Sequence, residues 1–355
     1  PSTTTGATRF YAVGFAAKSD GTRDVLVARY RADGTLDPAF GEPTGFFPPG
    51  GGAPLRRGWL TVDLGLDDEA MDAAVVGDRL VVVANSARDT EARVWLLLFD
   101  DVGREASSRA AIQFEGTKVS YGGLATWTSG ADQFVLVGAT LATVTPQGEQ
   151  LFSDWFVSKN RLTVDGFAGQ PSSPPVNFGS QTVGDDDRLS AIAVQSVLVN
   201  GVARLGVVLA GDSSQGFDLN AQRDAAFARL RLPSLAIDLN QGSQNPLEYF
   251  QNQGRKLVEA SRHQFVSALA LDSVARVIGV GRDEDATQVS RAYVVRLQSN
   301  GDSTPVSTKT TRFLEFGGTR DAFYGAVRRP DDKVLAVGAT GVPFRRSFLV
   351  SILLP

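Results

Sequence analysis

Four acidic clusters are the first residues in this sequence that could do chemistry: Asp67-Asp-Glu69, Asp185-Asp-Asp187, Asp283-Glu-Asp285 and Asp331-Asp332. Paired carboxylates can hold calcium through hard oxygen ligands, or act as acid and base in glycoside hydrolysis. None of the four lies in an Asp-x-Asp-x-Asp-Gly loop, and each falls at a predicted strand boundary, where Asp bonds its own backbone. The reading is therefore a solvated turn with no cofactor required, and calcium is the alternative. His263, the only histidine, precedes the predicted strand 265–271 and is placed to serve as an acid, a base or a ligand at a strand end. Nothing in the sequence supplies it with a partner. Trp155, Phe156, Tyr249 and Phe250 fall in irregular stretches, as do Phe46 and Phe47. They are candidates for stacking on a sugar or a protein partner, with packing against neighbouring strands as the competing role. The pairs Arg56-Arg57, Arg328-Arg329 and Arg345-Arg346 suit cross-linking of strands and acidic turns, or capture of a partner's carboxylates.

Other chemistries are excluded by composition. The 355 residues contain no cysteine and one histidine, so there is no disulfide framework, thiolate nucleophile or multi-histidine metal site. A net charge of −4 without a basic stripe argues against nucleic acid. The longest apolar runs, such as Trp95-Leu-Leu-Leu-Phe99, are too short to cross a bilayer. Gly50-Gly-Gly52, Gly122-Gly123 and Gly317-Gly318 have no helix after them and read as bends, not phosphate cradles.

What must position the candidate residues is a repeating β architecture. Asp24-Val-Leu-Val-Ala-Arg-Tyr-Arg-Ala-Asp-Gly34 alternates in polarity and ends at a turn, and related segments begin at Glu91, Asp224, Arg291 and Ser347. The copies recur mostly every fifty to seventy residues, with one gap about twice that, a spacing that suits propeller blades or long β arrays. A hairpin of two apolar strands precedes the alternating segment: 71–76 with 79–84, 121–127 with 134–138, 189–194 with 205–211, 265–271 with 276–281, and 322–327 with 333–338. Its first strand is rich in Ala, Gly and Ser, as needed where strands crowd an axis. Its second is β-branched, as suits burial on both faces. A fourth strand follows near 59–64, 110–115 and 311–316. Four antiparallel strands with the small-residue strand first make a β-propeller blade.

Val27-Ala-Arg-Tyr-Arg-Ala-Asp-Gly-Thr-Leu-Asp-Pro-Ala-Phe-Gly41 resembles the end of the bacterial delta-60 repeat, a propeller-forming repeat of secreted and surface proteins. Arg328-Arg-Pro-Asp-Asp-Lys-Val-Leu-Ala-Val-Gly338 resembles the hairpin that precedes that run. Residues 291–301 are a weaker copy, and 109–183 depart from the pattern. The resemblance implies a propeller exported by a bacterium to the cell surface, the envelope or the periplasm. It implies no particular activity.

The sequence thus predicts an all-β chain, a propeller of six blades with four strands each; seven blades are the alternative if 151–187 holds a degenerate one. Residues 1–9 read as a linker or closing strand and 10–355 as a single propeller domain. Decorated loops are expected near 41–57, 151–187 and 238–254, where binding would reside. The first unit enters on its second strand at Phe10-Tyr-Ala-Val-Gly-Phe15 and the last lacks a rim strand, so a preceding segment or a neighbouring chain is expected to complete the ring. A binding or scaffolding module for protein or carbohydrate is the leading expectation. A carbohydrate-active enzyme with paired carboxylates at the channel mouth is the second, and a subunit of a surface filament the third.

Overall fold

The structure, a computed structural model, describes residues 8–48, 53–88, 91–114, 117–145, 147, 150–170, 172–178, 185–199, 201–215, 222–238, 254–258, 262–302, 311–316, 318–342 and 345–353. Tyr249, Phe250 and most of the expected 238–254 loop lie outside these residues. Every regular element among the described residues is a strand. The chain forms two compact units: Pro1–Leu136 with Val144–Glu149 and Lys159–Gln170, and Val137–Thr143 with Gln150–Ser158 and Pro171–Pro355.

In the first unit, β1 (Arg9–Ala17), β2 (Arg23–Arg31) and β3 (Trp59–Val62) form a three-stranded antiparallel sheet. Strands β4 (Asp67–Val76), β5 (Arg79–Arg88), β6 (Glu91–Phe99) and β7 (Ala110–Ile112) form a four-stranded one, and β8 (Thr117–Ser129) follows. Strands β9 (Asp132–Val144) and β10 (Gln150–Thr163) give residues to both units, and β11 (Gly166–Gln170) returns along the end of β10. The span 151–187, expected to be a decorated loop, is therefore largely strand. Its proline-rich stretch misled the pattern because the prolines follow β11, in residues 172–178 that carry no regular element, while the residues before them are β10 and β11.

The second unit contains three antiparallel meanders in sequence order. They are β12 (Asp185–Val199), β13 (Val202–Gln215), β14 (Arg223–Arg231) and β15 (Arg255–Val258); then β16 (His263–Leu271), β17 (Val277–Glu284), β18 (Ser290–Leu297) and β19 (Thr311–Leu314); then β20 (Ala322–Arg328), β21 (Val334–Val342) and β22 (Arg345–Leu353). The β-branched second strands are sealed as expected: Val81, Val82 and Val83 of β5 and Val207 and Val208 of β13 have no exposure. Side chains between sheets complete the cores, such as Val25, Phe40, Leu60 and Phe99 in the first unit and Val208, Phe227 and Tyr293 in the second. Each such burial is worth about 1.5–3 kcal/mol.

Three recurrent devices explain the repeated sequence. The first is a β-bulge. In β4, β12, β16 and β20 the register against the next strand slips by one residue, at Met71, Ser190, Ser267 and Tyr324. A bulge leaves one residue unpaired and re-aims its side chain. Opposite three of these bulges stand Gly211, Gly281 and Gly338, where a Cβ would lie 1.9 Å from the carbonyl oxygen of Arg188, Phe265 or Ala322. This close approach is the reason for the glycine that ends the hairpin strands. The fourth bulge faces Ala84, so there the two strands make room for a methyl group.

The second device is a buried ion pair. Arg29 Nε lies 2.9 Å from Asp37 Oδ2, and its guanidinium stacks 4.8 Å from the Phe40 ring centre. Asp37 also accepts a hydrogen bond from Ala39 N at 3.0 Å, and Arg29 donates to the Asp101 carbonyl. Gly41 closes the run at φ +92°, where a Cβ would lie 2.1 Å from the Trp59 carbonyl oxygen. The Arg, Asp and Phe-Gly positions of the motif are thus one clamp on the loop after β2. Arg229 repeats it, donating to Asp238 at 2.6 Å, to Gln195 at 2.8 Å and to the Ser299 carbonyl at 2.9 Å.

The third device is a carboxylate latch. Asp68, Asp187 and Asp321 are buried and accept hydrogen bonds from the backbone N–H of Leu64, Phe178 and Phe316 at 2.6, 2.8 and 2.8 Å. Each ties the start of a first strand to the segment before it. Asp68, Asp187 and Asp283 are buried strand residues, which corrects the expectation of solvated turns for the clusters 67–69 and 185–187 and for the start of 283–285, while Asp285 does lie in a turn. The turn reading fits Asp331-Asp332, where Asp332 N donates to the Arg329 carbonyl and Asp332 takes φ +64°.

Candidate functional site

The bulge, the latch and one ordered turn together build an open polar cavity in the second unit. Strand β17 ends with Arg282 and Glu284, and the turn to β18 is held by Asp285, whose Oδ1 accepts from Thr287 N at 2.9 Å and Val289 N at 3.0 Å. This turn carries Gln288 at φ +62°, an uncommon conformation for a residue with a side chain. Across from it, Thr319 N and Arg320 N both donate to the Gly341 carbonyl, and Asp321 N donates to the Ser290 carbonyl. The backbone at Arg320 is therefore fixed on both sides. The latch of Asp321 sets the start of β20, and the bulge then turns Tyr324 outward, 54% exposed.

These elements enclose about 210 Å³, lined by Arg282, Glu284, Gln288, Ser290, Arg320 and Tyr324 over a floor of Ala322 and Ala339. Arg282 is committed: it donates to Glu284 at 3.0 Å and lies 4.0 Å over the Phe265 ring. The Arg320 guanidinium has no hydrogen bond or ion pair among the described residues. The cavity thus offers one open cation, a phenol, an amide and a hydroxyl on a rigid frame. No local motif announces it, because its residues are spread from 282 to 339.

The residues singled out in the sequence lie elsewhere. Trp155 is fully buried on β10, against Phe178 with ring centres 4.7 Å apart, and Phe156 beside it is also buried. Neither ring is open to a ligand, so the stacking role gives way to core packing. His263 opens β16, half-buried, and its Nδ1 accepts from Arg223 N at 3.3 Å. Tyr249 and Phe250 lie outside the described residues.

His263 borders a buried charge network. Arg223 bridges Asp186 and Asp212; Asp186 also accepts from Ser153 Oγ at 2.9 Å and from Arg188 at 2.7 Å. Burial pushes the Asp212 carboxyl up to about 6, against the pull of Arg223. Burial acts on Asp186 in the same sense, but the fields of Arg223 and Arg188 and the bonds it accepts win and hold it below the usual carboxylate range. Two carboxylates do converge here, with a guanidinium clamped between them.

One group in the first unit has metal-ligand spacing. Asp24, Asp63 and Asp68 can each present an oxygen with all three within 4.8 Å of one another. Lys18 Nζ stands 2.8 Å from Asp24 and 3.2 Å from Asp63, which holds the ammonium above its ordinary range. Asp63 also accepts from Gly65 N, and Asp68 is latched to Leu64. Much of the donor set is thus engaged by the protein's own groups. Arg23 likewise bridges Asp67 and Glu69, both at 2.6 Å.

A family model described as a domain of unknown function (DUF5122), beta-propeller, matches residues 11–40, the stretch that contains the Arg29–Asp37 clamp. No curated protein matches the sequence. Among solved structures, the chain is similar to MPT-4, a mannose phosphorylase from Leishmania mexicana in complex with phosphate ion, at 14% identity and TM-score 0.39, covering 80% of this chain and 82% of that one. It is also similar to MPT-1, a GDP-Man-dependent mannosyltransferase from Leishmania mexicana, at 13% identity and TM-score 0.34, covering 77% and 79%.

Proposed function

We propose that this chain is a non-enzymatic binding module, a six-bladed β-propeller exported to the bacterial cell surface or envelope, which presents ligand groups on a rigid frame. Its meanders would be the blades, four-stranded in the middle of the chain and three-stranded in the first and last. The observation that carries the reading is the state of the close carboxylates. Asp24 and Asp63 are bridged by Lys18, Asp67 and Glu69 by Arg23, and Asp186 and Asp212 by Arg223. A general acid must release its proton to substrate and a nucleophile must face it. Carboxylates tied to cations in this way hold strands together instead. The cavity at Arg320, by contrast, has at its wall a cation with no partner among the described residues, which suits recognition.

The test is an array of bacterial surface polysaccharides and proteins probed with the intact chain, with the bound polysaccharides then assayed for new reducing ends. Binding without turnover supports the module. Turnover that disappears in Asp212→Asn would establish the carbohydrate-active alternative. Antibody labelling of intact cells checks the location.

A further inference from the structure

We propose that the Arg320 cavity binds a sugar acid, with the guanidinium of Arg320 forking the ligand's carboxylate. The inference rests on the binding-module reading and gives it a ligand class.

Charge decides the anion. The cavity holds Arg282, Arg320 and Glu284, and Arg282 is already paired with Glu284 at 3.0 Å. One positive charge is left, which matches a monoanion. A phosphate dianion would need a second open cation. The planar fork of a guanidinium fits the two oxygens of a carboxylate, and such charge-assisted pairs are the strong ones.

The rest of the wall decides what carries the carboxylate. Gln288, Ser290 and Tyr324 can exchange hydrogen bonds with hydroxyl groups, and the Glu284 carboxylate can accept from them. The apolar floor is two alanine methyl groups, too little to seat the side chains of a peptide. At about 210 Å³ the space is below the roughly 300–1,000 Å³ of pockets for drug-sized ligands, so it suits one sugar ring.

The bulge supplies the most particular feature. The equivalent bulge residues of the other meanders are Met71, Ser190 and Ser267; only here, among these four, does the bulge present an aromatic. An outward tyrosine offers a sugar both a ring face and a hydroxyl. Its place is fixed by the Asp321 latch, and the opposite wall by the Asp285 turn. The frame is thus ordered before a ligand arrives, which lowers the cost of binding.

The experiment is calorimetric titration of the full chain with D-glucuronate and D-galacturonate, with D-glucose, acetate, inorganic phosphate and a short peptide bearing a free C-terminus as comparisons. At least one uronate should bind, with glucose and acetate each weaker by about tenfold or more, since each lacks half of the contacts. Arg320→Ala should weaken that uronate at least about tenfold, Arg320→Lys less, and Tyr324→Ala severalfold. Arg320 is exposed and has no partner among the described residues, so these variants should keep the parent's thermal midpoint. Absence of uronate binding, or equal binding by Arg320→Ala, overturns the proposal, as does tighter binding of phosphate or of the peptide. If uronates fail while polysaccharide or protein capture on the array persists, this inference falls and the module reading stands. If array capture fails as well, both fall.

Discussion

Arg29 and Asp37 form a 2.9 Å ion pair sealed from solvent, and Phe40 lies against the guanidinium from one side. The pair explains why the Arg and the Asp of the repeated motif occur together: each is the other's counter-charge in a place water does not reach. Asp37→Asn leaves the guanidinium buried and unpaired, and should cost about 3–5 kcal/mol in urea unfolding of the first unit. Asp238→Asn should do the same in the second, where it pairs with Arg229. Arg57→Ala, which removes an exposed partner of Glu42, should change stability by no more than about 1 kcal/mol. A loss below about 1 kcal/mol for Asp37→Asn would show that the clamp does not hold the loop.

Gly281 and Gly14 should respond to alanine in opposite ways. A methyl on Gly281 meets the Phe265 carbonyl oxygen at 1.9 Å, whereas nothing lies within 4 Å of the one on Gly14. Gly281→Ala should therefore lower stability by about 1–3 kcal/mol, as overpacking does. Gly14→Ala should be neutral or slightly stabilising, since alanine restricts the unfolded chain. A neutral Gly281→Ala would mean that the bulge relaxes to the arrangement found at Ala84. Thermal midpoints of the two variants decide.

Asp212 and Asp186 should leave separate marks on the pH dependence of stability. The folded value of Asp212 is raised from 3.8 to about 6, so across that window the native state holds a proton that the unfolded chain releases. Stability should fall as pH rises from about 4 to 6. Asp186 is shifted the other way, so its contribution is present above about 4 and is lost as pH falls further. Asp212→Asn should remove the first slope and leave the second. Denaturation midpoints from pH 3 to 7 test this, and a parent protein with no slope between 4 and 6 would show that Arg223 keeps Asp212 ionised.

Lys18 and calcium compete for one set of oxygens. Millimolar calcium should leave the thermal midpoint of the parent unchanged. In Lys18→Ala two of the three carboxylates, Asp24 and Asp63, lose their ammonium, and the midpoint should rise with calcium and return on chelation. A calcium response in the parent would show that the ion displaces the lysine. None in the variant would show that the latch on Asp68 holds its oxygens out of reach.

The strands were legible because their patterns are local. The β-branched run Leu80-Val-Val-Val-Ala84 reads as a doubly buried strand, and it is one. The role of Arg29 was not legible, because an arginine in an alternating strand looks like a rim residue until the loop after it folds back with Asp37. Arg229 was harder still: its loop reads Leu-Pro-Ser-Leu-Ala-Ile-Asp238, and the Asp is not followed by the Pro-Ala-Phe-Gly that marks the first copy. Trp155 was misplaced because nearby prolines suggested a loop. The Arg320 cavity was invisible because it depends on a one-residue slip at Tyr324, which the hydrophobic pattern of Ala322-Phe-Tyr-Gly325 does not encode.

The latches of Asp68, Asp187 and Asp321 close over separations of only four, nine and five residues. Closing so short a loop costs little chain entropy, and contacts between near neighbours speed folding. Each joint can therefore shut as soon as its own stretch of chain is available, before any distant partner exists. The latches thus add little to the chain's contact order, and the entropic cost of closure falls on the pairings that join distant parts of the chain.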